Sequence, residues 1–369
     1  MWQAIIKVMN ATSRNPASNA IDSIWSASAT VVLGGLLAAG PVDARDVCLD
    51  TPEELAQLLT DCGEPLCVWQ LPTDRAFGGV RKILVDLPSA AEHRVIGGFD
   101  NDCTARLLDA PTYLGTLTVT MAEGAPRLTL SLESLLFDEV SVSSQDNPTT
   151  MIGVGASALS INTGGAFREG SNEPGAPIAI TDSIISGPVS VRSTWKGAIA
   201  LTRSVFDAGG VRLEVSGPPR RVRITDNTLR NGFVPPGGTG AAGLTLDFGN
   251  TDVTATIRRN RFEDNWSWES GGALGGITGS GSVDVDTNVF LGNGAWGTGG
   301  GVDLTVNGGR LRLLHNLFQQ NVAATGDYGG GAATIRLTDD DAALLVANNV
   351  LRGNVADVFD AGTEPVGQD

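Results

Sequence analysis

The residues best suited to chemistry lie in the C-terminal half of the chain and are aromatic or acidic. Trp266, Trp268, Trp296 and Tyr328 stand in the segments "WSWES", "GAW" and "VAATGDY", and Phe233 in "GFVPPGGT". Glu263, Asp264, Glu269 and Asp327 accompany them. Ring faces beside carboxylates suit a sugar-binding strip, with apolar platforms for the sugar ring and acceptors for its hydroxyls. The competing use of such rings is packing over a corner of the fold. A glycoside hydrolase needs two carboxylates about 5 to 9.5 Å apart across the scissile bond. Asp247 and Asp303, with Arg336, are the candidates for that role. Asp284 and Asp286 project together from "VDVD", and Asp339, Asp340 and Asp341 crowd a turn. Oxygen ligands at this density hold calcium, although solvated acidic turns are commoner. Calcium is therefore the one cofactor considered. Of the two histidines, His315 precedes a repeated Asn and reads as an ordinary backbone position.

These residues are set in a repeat. Asn260-Arg-Phe262-Glu-Asp-Asn265, Asn288-Val-Phe290-Leu-Gly-Asn293, Asn316-Leu-Phe318-Gln-Gln-Asn321 and Asn349-Val-Leu351-Arg-Gly-Asn354 share one phrase. Asn227-Thr-Leu229-Arg-Asn231 is one residue tighter, and Ser204-Val-Phe206 and Ser183-Ile-Ile185 are weaker copies. From lead residue to lead residue the intervals are 21, 23, 33, 28, 28 and 33. A period of 20 to 50 residues is the mark of stacked units.

Within one repeat, Gly300-Gly301 precede "VDLTV", where Val302, Leu304 and Val306 alternate with Asp303 and Thr305. "NGG" makes a turn, "RLRLL" a second strand, and the Asn/Phe phrase a bend and a third short strand. This predicts an all-β fold, a single right-handed parallel β-helix over residues 110–357. Phe206, Leu229, Phe262, Phe290, Phe318 and Leu351 should form one interior column. Asn260, Asn288, Asn316 and Asn349 should form a ladder at a corner that needs left-handed backbone, which Asn tolerates. A propeller or sandwich would need regular two-residue hairpin turns, and these are not seen. Stacking also brings the long loops after the second Asn to one edge.

The first 109 residues differ. "ATVVLGGLLAAG" is too short to span a membrane and suits the core of an export signal, placing a signal peptide at 1–44. No Cys directly follows it, so neither a lipid anchor nor a transmembrane anchor is expected. Cys48, Cys62, Cys67 and Cys103 fall in a cap region at 45–109 and read as two disulfides with three possible connectivities. Their spacing lacks the close pair of a zinc site. Thr51-Pro52-Glu53-Glu54 opens a capping helix whose apolar face is Leu55, Leu58 and Leu59. Residues 358–369 form a polar tail. With 25 Lys and Arg against 41 Asp and Glu the net charge is −16, which repels nucleic acid and anionic membranes.

The phrases Phe262-Glu-Asp-Asn265, Phe290-Leu-Gly-Asn293 and Phe318-Gln-Gln-Asn321, with Gly271-Gly272-Ala273-Leu274 and Gly330-Gly331-Ala332-Ala333, resemble the repeats of polymorphic outer membrane proteins. They resemble equally the broader pectin-lyase-like superfamily of right-handed β-helix proteins. Val95-Ile96-Gly97-Gly98-Phe99-Asp100 is similar to a segment near the start of secreted bacterial β-helix proteins. The likeness covers residues 50–357. It implies a fold whose enzymes act on acidic polysaccharides. Their lyases use a calcium-holding carboxylate cluster and an Arg base; their hydrolases use several Asp with Gly-His-Gly and Arg-Ile-Lys segments. Neither segment is present, and the chain lacks the terminal barrel strands of the outer membrane proteins. The expectation is a secreted or cell-surface protein without catalysis, binding a polysaccharide or another surface component. The alternative is a polysaccharide lyase or glycoside hydrolase of the same architecture.

Overall fold

Alternating runs such as Val283-Asp-Val285 and Leu311-Arg-Leu313 put β-branched and aliphatic residues on one side of a pleat and polar residues on the other. In the computed structural model they pair with the same run one repeat away. The structure describes residues 45–49, 66–72, 82–87, 92–99, 102–107, 110–121, 129–143, 147–163, 178–194, 197–216, 220–324 and 329–356, together with Glu54, Leu55, Gln57 and Asp61.

The described strands form long parallel sheets. The first sheet has 12 strands in chain order, from Arg45–Cys48 and Leu66–Pro72 to Arg310–Leu314 and Ala343–Ala347. Its register is continuous through Val222, Ala255, Val283, Leu311 and Leu344. One coil reads as follows. Ser282–Asp286 lies in the first sheet, Val289–Leu291 forms a short face, and Gly294–Ala295 a two-residue strand. After the glycines, Val302–Val306 forms a further face before Arg310–Leu314 begins the next coil. The coils stack as a solenoid of parallel strands.

Two expectations change. Three strands per coil become four from Phe233–Val234 onward, because the residues after the second Asn build a sheet of their own. Earlier coils instead use long strands such as Gly155–Thr163, which pairs with both Ile184–Ile185 and Val189–Ser193. Nor does the stacking start at residue 110. Arg45–Cys48, Leu66–Pro72 and Glu92–Phe99 belong to the first sheet, so the region set apart as a cap joins the stack. The signal segment, the tail at 358–369 and the cap residues Thr51 and Pro52 lie outside the described residues. Glu54, Leu55, Gln57 and Asp61 are helical, and Leu55 is buried in the core.

The interior column is as expected. Phe206, Leu229, Phe262, Phe290, Phe318 and Leu351 stand in register, the first five fully buried. The rings of Phe262, Phe290 and Phe318 stack at 4.8 and 4.6 Å with planes within 6°. That is the strand spacing of about 4.8 Å imposed on the side chains.

The corners hold a correction. The left-handed residue is the one before each ladder Asn: Asp226 (φ 63°), Arg259 (54°), Thr287 (57°), His315 (51°) and Asn348 (55°). The ladder Asn is therefore needed for its amide, not for backbone tolerance. Asn288 Oδ1 accepts from the Asn260 N–H at 2.9 Å and Nδ2 at 3.0 Å. Its own Nδ2 donates to Ile257 O at 2.8 Å and Asn316 Oδ1 at 3.1 Å. A second ladder runs through Asn265, Asn293, Asn321 and Asn354 on the same pattern. It flanks a second left-handed column containing Asp264, Gly292, Gln320 and Gly353. Left-handed backbone costs a non-glycine residue about 1–2 kcal/mol, so two buried ladders are what hold these corners.

Candidate functional site

The loop edge lies against the short sheet of Phe233–Val234, Trp266–Ser267, Gly294–Ala295, Val322–Ala323 and Val355–Ala356. Register sorts its aromatics into two columns. Phe233 pairs with Trp266, and Trp266 with Gly294. Glycine is required there, since a Cβ at 294 would sit 2.2 Å from Trp266 ring carbons. The Trp266 ring thus packs directly against the backbone of the next coil at Gly294. In the second column Trp268 N–H donates to Val234 O and Trp296 N–H to Ser267 O, which carries the register past the strand ends. Trp268 and Trp296 then stack with centroids 5.0 Å apart and planes at 27°.

Among the described residues of this edge the two most open rings are Phe233, 54% exposed, and Trp268, 36% exposed. Glu269 ties the loops together. Its Oε1 accepts from Gly237 N–H at 3.3 Å, and its carbonyl accepts from Gly297 N–H at 2.6 Å. Glu263 instead pairs with Arg261 at 2.7 Å, which holds its carboxyl below the usual range. Asp264 occupies the left-handed corner. Tyr328 and Asp327 lie outside the described residues.

The three candidates for catalysis do not assemble as a carboxylate pair. Asp247, Ile277 and Thr305 share one row of the Val302–Val306 face, and Asp303 sits two residues from Thr305. Two strand spacings and two residues along the strand separate the acids by about 12 Å at the backbone. Asp247 leans back to Arg212 of the preceding coil and Asp303 forward to Arg336 of the following one, so the carboxyls point away from the shared gap a hydrolase needs. Asp247 faces Arg212 at 3.4 Å.

Asp303 has a closed environment. Its side chain is 6% exposed and ion-pairs with Arg336 Nη1 at 2.5 Å. The Thr298 hydroxyl donates to its other oxygen, and Arg336 Nη2 donates to Thr298 Oγ1 at 2.7 Å. Burial pushes the carboxyl up, against the opposing pull of Thr298, Arg336 and Ser270. The same row explains what the residue does. In-register Thr245 accepts from Ala241 N–H and Thr334 from Gly330 N–H, each fastening the glycine turn before its strand. Asp303 fastens the equivalent turn through the Thr298 hydroxyl instead of a backbone N–H.

The proposed calcium ligands are dispersed. Asp284 pairs with Arg312 at 3.4 Å, and Asp286 with Arg258 at 3.3 Å and with His315 Nδ1 at 3.0 Å. For Asp286 burial raises the pKa, but hydrogen bonds from His315 and Thr287 and the Arg258 charge outweigh it and leave it low. Asp339, Asp340 and Asp341 sit on an exposed turn, where Asp341 N–H donates to Asp339 Oδ1. Among the described residues no group of three or more His, Cys, Asp or Glu is placed to hold a metal. His315 is more than a plain backbone position, since its Nε2 also meets Asn348 Nδ2 at 3.1 Å.

Cys67 and Cys103 are disulfide-bonded; Cys62 and the Cys48 side chain are outside the described residues. Among the described residues no helix is long and apolar enough to cross a membrane. Comparison with protein-family models, curated proteins and solved structures finds no match to this chain.

Sequence reasoning grouped Asp303 with Arg336 but missed the second ladder and the place of Thr298 between them. The first was legible, because Asn265, Asn293, Asn321 and Asn354 recur five residues after each lead Asn. Thr298 had no signal, because it lies in the turn outside the alternating strand face and meets Arg336 only through the stacking of coils.

Proposed function

We propose that the chain is a secreted or cell-surface right-handed β-helix of the pectin-lyase-like kind that binds glycans, without catalysis, along the edge of Phe233, Trp268, Trp296 and Glu269. The observation that carries this is the Trp268–Trp296 stack, with Trp268 and Phe233 open to solvent on one edge. Right-handedness follows from the near-universal hand of crossovers between parallel strands. The helical turn at Leu55 then covers the first coils, and the oxidised cysteines fit an exported protein. A binding reading is favoured over a cleaving one because Asp303 is consumed by its own turn and Asp247 leans away from it toward Arg212.

The test is titration of the protein with a panel of plant and bacterial polysaccharides, read by tryptophan fluorescence and calorimetry. At least one glycan should bind, and Trp268→Ala should weaken it by about tenfold, the worth of one aromatic face. Silence across the panel, or binding unchanged in that variant, removes the reading. New reducing ends or unsaturated-product absorbance would replace it with the lyase or hydrolase alternative.

A further inference from the structure

The outer face of the first sheet carries a different kind of surface. Its rows run Arg221, Thr254, Ser282, Arg310 and Arg223, Thr256, Asp284, Arg312 across four successive strands. Arg221, Arg223 and Arg310 are exposed and make no ion pair among the described residues. This is unusual for the chain. Apart from Arg352 on the last coil, every other arginine whose side chain is described is ion-paired, as Arg192, Arg203 and Arg230 are. With 41 acids against 25 bases, acidic partners are in excess. The two acids on this face, Asp284 and Asp286, are taken by Arg312 and Arg258. Asp226, at the adjoining corner, is held by Arg259, with Arg223 a smaller influence on it.

We infer that this face is a second binding surface, for a sulfated polysaccharide. Arg221 and Arg310 lie three strand spacings apart, about 14 Å, with the hydroxyls of Thr254 and Ser282 between them. A guanidinium fork takes two oxygens of an oxyanion. A neighbouring hydroxyl can donate to a third, which a sulfate ester has and a carboxylate lacks. A phosphate monoester also has three oxygens but carries about −1.5 to −2 charge, which a chain of net charge −16 repels more strongly. A shallow depression lined by Arg310, Arg312, Ala343, Leu344 and Leu345 gives one end of the strip some relief. The face is distinct from the aromatic edge, and neither proposal depends on the other.

The test compares retention on beads of dextran sulfate, plain dextran, a polyuronate and a phosphorylated dextran. Wild-type protein should be held by dextran sulfate alone and released as ionic strength passes about 0.15 M, where the Debye length is about 8 Å. The triple variant Arg221→Ser, Arg223→Ser, Arg310→Ser should lose at least about tenfold in affinity, with an unchanged melting temperature. A charge-matched triple, Arg203→Ser, Arg230→Ser, Arg259→Ser, removes paired arginines instead and should keep its retention. Trp268→Ala should also keep it, which separates this face from the aromatic edge. No retention of the wild type, equal retention on polyuronate or phosphorylated beads, or equal loss in the two triples would overturn the inference.

Discussion

The corner after the first sheet is built from serine in the early coils and asparagine in the later ones. Ser204 Oγ accepts from Ser183 N–H at 3.2 Å and donates to Thr202 O, two residues back in its own coil. Asn227 occupies the same corner, yet its Nδ2 reaches Leu201 O in the preceding coil and Asn260 Oδ1 in the following one. A hydroxyl has one proton and must spend it locally; an amide has two and spans three coils. Among the described residues the later coils alone carry the second ladder, the short sheet and the aromatic edge. Long loops are placed reproducibly where the corners beneath them are cross-linked.

The comparison is broken most directly by removing one rung of each kind. Asn288→Ala leaves Asn260 N–H and one Asn260 amide proton without partners and takes one of their bonds from Ile257 O and Asn316 Oδ1. At about 1–3 kcal/mol for each buried orphan, the loss should be about 4 kcal/mol or more. Ser204→Ala orphans mainly the Ser183 N–H and should cost about 1–2 kcal/mol. Urea midpoints at constant slope measure both. Equal losses would show that the amide spans nothing that matters. Phe290→Ala comes next, at about 3–5 kcal/mol for a buried ring lost from the middle of a stack. Hydrogen exchange should place that loss in the coils of Phe262 and Phe318 and leave those of Ile185 and Phe206 protected.

The sequence made the column and one ladder legible because in-register parallel stacking turns a linear period into a spatial neighbour: Phe262, Phe290 and Phe318 were equivalent before they were adjacent. What the period could not carry is any contact that joins non-equivalent positions. Asp303 and Arg336 could be grouped by their shared strand face, but Thr298, in the turn before it, meets Arg336 from the next coil, and no repeat unit contains both. The corner residue was misjudged for a different reason. Asn in a turn suggested left-handed backbone, but a ladder amide must point inward, and the strain falls instead on Thr287 and His315, whose types do not announce it. Strand Gly155–Thr163 covers two faces without a break, so the early coils lacked the turn signals that marked the later ones.

A pH titration separates the halves again. His93 stands between Cys67 and Leu130 in the first sheet, fully buried, with neither ring nitrogen hydrogen-bonded. Burial lowers its pKa from 6.5 to about 4. The native state therefore binds the proton less readily than the unfolded chain. The stability this represents is complete above about pH 6.5 and is lost as pH falls toward 4, by about 3 kcal/mol. The loosening should begin in the early coils, seen as exchange or proteolysis near residues 66–99 while the Asn-laddered coils stay closed. His93→Leu should flatten this part of the pH profile. An unchanged profile in that variant would assign the acid sensitivity elsewhere.

The smallest effect is expected at the junction of the two corner types. Arg203 grips Asp182 with Nε at 2.8 Å and Nη2 at 2.7 Å, and this bond, with a smaller effect of Asp226 on the next coil, keeps the guanidinium charged. The geometry is good, but both side chains are about half exposed, 55% and 47%. Water and salt screen such a pair, so Arg203→Gln should cost no more than about 1 kcal/mol, fading at high ionic strength. A midpoint shift of that size, gone in 1 M salt, fits corners held by buried rungs with the surface charges as trim. A loss approaching that of Asn288→Ala, and insensitive to salt, would mean that the charged column outside the corner, not the amide column inside it, holds coil to coil.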